Sequence, residues 1–83
     1  MTKEEEIDRI EQIIAGLTEV ARILKEARTK IKDELIWMYP ELRVFEYEST
    51  IQPIYLSLNN LITAINDKIM FYQADLNRLK VMP

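Results

Sequence analysis

The chain has 83 residues, 48% of them hydrophobic, with one glycine and three prolines. This is the length of a single domain, residues 1–83, and the composition of long helices with few turns, which excludes a disordered or loop-rich polymer. With no cysteine and no histidine it also excludes disulfides, thiolate chemistry and the commonest general base, and a net charge of -3 argues against general nucleic-acid binding.

The opening Met1, Thr2, Lys3, Glu4, Glu5, Glu6 is polar and acidic, unlike the basic and then apolar start of a secretory signal, so a cytoplasmic protein is expected. Thr2 followed by Glu5 three residues on is a capping box, which predicts a helix beginning at Lys3. Its apolar stripe runs Ile7, Ile10, Ile14, Leu17, Ala21, Leu24, Ile31, Leu35, Met38, at intervals that keep one face of a helix toward a partner. Pro40 disfavours helical geometry in the residue before it, so this helix is expected to span about 3–39, a length of about 54 Å. Charge within it is polarised. Residues 1 to 20 carry two positive and six negative side chains and residues 21 to 32 carry five positive and one negative, which complements the helix macrodipole.

Residues 41–48 read as a connecting loop with a short turn of helix. Ser49 followed by Gln52 repeats the capping pattern, which predicts a second helix over about 50–81, with Pro53 tolerated in its first turn. Its seam is expected to be Ile51, Ile54, Leu58, Leu61, Ile65, Ile69, Tyr72, Leu76, Leu79, with one stutter between Ile65 and Ile69.

Set antiparallel, the two stripes pair residues whose numbers total 89, as in Leu24 with Ile65 and Ile10 with Leu79, and this register centres the turn at residues 44 and 45. It places Gly16 beside Phe71 and Tyr72, where a missing side chain makes room for a ring, and Arg28 at the level of Leu61 with Asn59 alongside. A polar residue in the seam holds the register or else carries its charged head out to water.

Ile13, Val20 and Ala27 widen the first stripe, and Tyr55, Ile62 and Ile69 widen the second. Each face is then broad enough for two neighbours, and residues 49 to 66 carry no charge. The expected fold is therefore all-α: an antiparallel helical hairpin that dimerises into a four-helix bundle, with those six residues at the dimer interface. The uncharged stretch contains Gln52, Pro53, Asn59, Asn60 and Asn66, so a membrane span is not expected.

Glu5, Asp8 and Glu11 have the spacing of carboxylate metal ligands, but the second helix offers only Asp67 and Asp75 and cannot close an octahedral shell. Arg22, Arg28 and Lys32 match no anion-binding motif. Neither a cofactor nor a metal nor an enzymatic activity is expected. Five of the seven aromatic residues, Trp37, Tyr39, Phe45, Tyr47 and Tyr55, gather at the hairpin tip between acidic side chains. Aromatic anchors ringed by charge mark protein-binding surfaces, so Tyr39, Glu41, Arg43, Phe45, Glu46, Tyr47 and Glu48 are the expected partner site of a scaffold or interaction module. The alternative is a small nucleic-acid-associated regulator that uses the basic segment 22–32, with Arg22, Lys25, Arg28, Lys30 and Lys32.

Overall fold

The computed structural model of the chain describes residues 2–37 and 46–82, for residues 36 and 37 the backbone alone. Helix α1 (Lys3–Lys30) continues into a π-helical segment (Ile31–Trp37); a second π-helical segment (Tyr47–Ile51) leads into helix α2 (Gln52–Val81). The two helices pack side by side as a hairpin, a rod of 62 × 17 × 16 Å, and the described residues include no strand.

The capping residue acts as its position predicts. Thr2 has extended backbone, its Oγ1 accepts from the Glu5 backbone N–H at 3.1 Å, and the same hydroxyl donates to Glu5 Oε1 at 3.3 Å. Two groups are satisfied by one threonine, and Glu4, Glu5 and Glu6 put negative charge at the positive end of the helix. At Ile31 the helix does not stop: its backbone is right-handed helical and its N–H reaches the carbonyls of both Ala27 and Arg28. At the other end α2 closes at Val81, as expected, with Met82 extended and its N–H on the Leu79 carbonyl at 3.3 Å.

The second helix begins earlier than its capping pattern predicts. Glu46 is already right-handed helical, and Tyr47–Ile51 is a π turn in which Ser49 and Thr50 stand inside the helix. The wider turn has a local cause. Pro53 has no N–H to donate and its ring collides with the carbonyl four residues back in a tight α-turn, whereas a π turn opens that spacing, and the Gln52 N–H bonds instead to the Tyr47 carbonyl five residues back.

The seam is formed on α1 by Ile7, Ile10, Ile14, Leu17, Ala21, Leu24, Arg28 and Ile31, with Ile10 1% exposed. On α2 the inward residues are Ile51, Tyr55, Leu58, Ile62, Ile65, Ile69, Tyr72, Leu76 and Leu79. Two expectations are corrected here. Ile54 and Leu61 are 49% and 48% exposed, whereas Tyr55 is half-buried and Ile62 is 5% exposed. The α2 intervals then alternate four and three without interruption, so the stutter disappears. The reason is continuity: the row through Ile54 and Leu61 runs on into Lys68 and Asp75, but the row through Tyr55 and Ile62 runs on into Ile69 and Leu76. A helix turns inward the row that stays apolar along its whole length.

Three contacts cross from one helix to the other near the expected register: the Lys3 ammonium donates to the Met82 carbonyl, Arg28 to Asn59, and Lys80 pairs with Glu11. Gly16 departs from expectation. A Cβ built there meets nothing within 4 Å, and Phe71 is an exposed ring whose neighbours are Tyr72, edge-on at 5.5 Å, and the Lys68 ammonium. No ring fills a gap at Gly16.

Truncating the seam should therefore be expensive and filling Gly16 should help. In urea unfolding followed by circular dichroism, Ile10→Ala and Ile62→Ala are each expected to cost about 2–5 kcal/mol, and Gly16→Ala to add about 0.5–1 kcal/mol of helix stability.

Candidate interaction site

A two-helix rod has two flanks beside its seam, and the antiparallel arrangement decides what shares each of them. Antiparallel helices are related by a two-fold axis that runs from one flank of the pair to the other. Residues that immediately precede the seam rows on the two helices therefore lie on one flank, and residues that immediately follow them lie on the other.

In the row that borders the seam the following positions are polar: Glu11, Thr18 and Lys25 on α1, Lys32 just beyond it, and Asn59, Asn66, Gln73 and Lys80 on α2. Leu56 and Met70, which follow Tyr55 and Ile69, stand one step further out and are exposed. Contacts across the seam mark this flank. Lys80 Nζ stands 3.5 Å from Glu11 Oε1, and the half-buried Arg28 donates from Nη1 to Asn59 Oδ1 at 2.7 Å. Arg28 is thus half-buried in the stripe, and its head reaches a polar partner on the neighbouring helix.

The preceding positions are Ile13, Val20 and Ala27 on α1, and Ile54 and Leu61 followed by Lys68 and Asp75 on α2. Val20 is 45% and Ile23, one step further out, 50% exposed. Pro53, Ile54, Ser57, Leu58 and Leu61 line an open groove along the same side of α2. Of the six residues expected at a dimer interface, Ile13, Val20 and Ala27 lie on this flank. Tyr55, Ile62 and Ile69 do not; they line the seam inside the hairpin. The residues that sequence reasoning placed in the seam, Ile54 and Leu61, stand on the flank in their stead.

Apart from Lys80 with Glu11, the ion pairs among the described residues run along single helical stretches. Arg9 donates from Nη2 to Glu6 Oε1 at 2.6 Å, and this hydrogen bond holds the Glu6 carboxyl below the usual carboxylate range and raises the Arg9 guanidinium. Tyr72 and Asp75 of α2 add a small field at Arg9. Arg22 sits between Glu19 and Glu26, bonded to both; Glu19 is lowered by that hydrogen bond and Arg22 raised. Lys30 lies 3.5 Å from Glu34. Three of the five cations of the basic segment 22–32 are thus engaged: Arg22 and Lys30 with carboxylates and Arg28 with Asn59. A shallow depression lined by Arg22, Lys25, Glu26, Thr29 and Lys30 lies wholly on the outer surface of α1.

At the tip, Tyr39, Glu41, Arg43 and Phe45 lie outside the described residues, as does the side chain of Trp37. Glu46 and Glu48 are exposed and Tyr47 is half-buried on the turn that opens the second helix. Among the described residues no group of three or more acidic side chains is placed to hold a metal ion, and no helix is long and apolar enough to cross a membrane. Comparison of the chain with protein-family models, curated proteins and solved structures returned no match.

Two measurements follow from these pairings. Because the folded carboxyls of Glu6 and Glu19 are lowered, their contribution to stability is present above the ordinary carboxylate value of 4.5 and is lost as pH falls through the folded values. Carbon-detected NMR titration is expected to show both titrating below that value, with Arg22→Gln returning Glu19 to it and leaving Glu6 unmoved. A double-mutant cycle on Arg28→Ala and Asn59→Ala should give a coupling of about 0.5–1.5 kcal/mol in unfolding free energy, the worth of one part-buried hydrogen bond.

Proposed function

We propose that the chain is a small non-catalytic interaction module, cytoplasmic, that works as a homodimeric helical bundle and holds another protein at its tip. The observation that carries this reading is the difference between the two flanks. One is lined with Val20, Ile23, Ile54 and Leu61 at about half exposure, while the row that borders the seam on the other, Glu11, Thr18, Lys25, Asn59, Asn66, Gln73 and Lys80, is polar. A contiguous apolar strip on one side of a slender rod is the mark of a surface meant to be covered.

The tip supports the second half of the reading. The aromatic and acidic residues between 37 and 55 are interleaved in the pattern of a binding surface, and among the described ones Tyr47 and Glu48 stand on a π turn that Glu46 leads into, a feature that recurs at functional sites. A nucleic-acid role finds less support. The chain is acidic, and the intrahelical pairs of Arg22 and Lys30 neutralise much of the charge that would meet a phosphate backbone.

Light scattering at low micromolar concentration tests the dimer: twice the 9.9 kDa chain mass is expected, and a monomer removes the reading. For the tip, the chain is tagged and used to capture partners from its native host, beside a variant carrying Tyr39→Ser, Glu41→Ala, Glu46→Ala, Tyr47→Ser and Glu48→Ala. Loss of a specific partner is expected; retention of every partner removes the tip as the site.

A further inference from the structure

We infer that the flank bearing Val20, Ile23, Ile54 and Leu61 is the seat of a second copy of this chain, with the polar flank left to water. The inference rests on the dimeric reading above and adds to it which surface closes the bundle.

Area comes first. The chain exposes 6383 Å², where a compact monomer of its mass exposes about 5,200 Å². The excess of about 1,200 Å² is more than the roughly 800 Å² that each partner of a standard interface buries. Its radius of gyration, 18.4 Å, is likewise well above the roughly 12 Å of a globular domain of this length. The rod lacks a second layer, and a second hairpin supplies one.

Charge then selects the flank and the occupant. Two copies of a chain with net charge -3 repel, so they meet at low cost only where the surface is neutral. On α1 this flank presents Ile13, Gly16, Val20, Ile23 and Ala27, and on α2 Ile54, Ser57, Leu61 and Ala64, without a charge among them. Charges return only toward its ends. Lys68 lies 5.7 Å from the centre of the Phe71 ring, its stem able to cover apolar surface while the ammonium stays at the rim. Glu6 with Arg9 and Asp75 with Arg78 are ion pairs closed within their own helices, so the open end of the flank is neutral as well. A neutral apolar patch is complementary to itself, which is what an isologous contact between identical chains requires. Because the other flank is polar, the contact uses one surface per chain and closes as a pair instead of growing into a fibre. Leu56 and Met70 are exposed on the other flank, but as single residues set among Asn59, Asn60, Asn66, Asp67 and Gln73, with no apolar row beside the seam.

The test compares Leu61→Glu with Asn66→Glu by sedimentation equilibrium, with circular dichroism to report folding. Leu61→Glu is expected to weaken the dimer by at least about a hundredfold, and Asn66→Glu to leave it within about threefold. Where Leu61→Glu does not fold, cysteines decide, since the chain has none of its own. Val20→Cys, Ile23→Cys and Leu61→Cys, mixed pairwise and mildly oxidised, are expected to give disulfide-linked dimers, and Thr18→Cys and Asn66→Cys are not. Cross-linking confined to residues 18 and 66, or a dimer lost with Asn66→Glu and kept with Leu61→Glu, overturns the flank while leaving a dimeric module in place. A wild-type chain that stays monomeric overturns both.

Discussion

Two helices can bury only one stripe of each against the other, and this limit governs the molecule. Among the described residues, the seam that runs from Ile7 to Ile31 and back from Ile51 to Leu79 is the interior. Only five described side chains in it, those of Ile10, Ala21, Ile51, Ile62 and Leu76, are buried. A chain with 48% hydrophobic side chains therefore has more apolar surface than one seam can take. Part of the remainder forms a strip on the side where residues precede the seam rows, Val20, Ile23, Ile54 and Leu61, whereas on the other side Leu56 and Met70 stand singly among polar residues.

Polar contacts serve alignment more than cohesion. Arg22 with Glu19 and Glu26, Arg9 with Glu6, and Arg78 with Asp75 lie along single helices and exposed to water, where such pairs add little to stability. The hydrogen bond from Arg28 to Asn59 is different because it spans the seam and is partly sheltered. A change of register would part that guanidinium from Asn59, so the pair favours this alignment while the aliphatic residues around it drive the association.

Several features were legible before any coordinates. Thr2 and Glu5 mark the start of the first helix because capping is a local event among four residues. The two helices, their antiparallel pairing and the proximity of Arg28 to Asn59 follow from the spacing of apolar residues and the position of the loop. Other features were not legible. Ile54 and Tyr55 are adjacent apolar residues, as are Leu61 and Ile62, and a local reading has no means to choose between the two rows. The choice depends on Ile69 and Leu76, about two and four turns beyond Ile62. Gly16 is a related case, because residues at one level of the rod need not touch: a Cβ at Gly16 meets nothing within 4 Å and Phe71 is exposed.

The sequence by itself determined that the protein is two long helices folded into a hairpin, since helix periodicity, capping and the prolines act over a few residues. It also determined that the apolar surface exceeds what one hairpin can bury, because that is a matter of composition. Tertiary structure alone decided which residues make up the excess. Rotating α2 by one residue exchanges Ile54 and Leu61 for Tyr55 and Ile62, and only packing the whole length of both helices at once sets that rotation. With it set, the candidate surface moved from a mixture of seam and flank residues to one flank, the side that carries Val20, Ile23, Ile54 and Leu61.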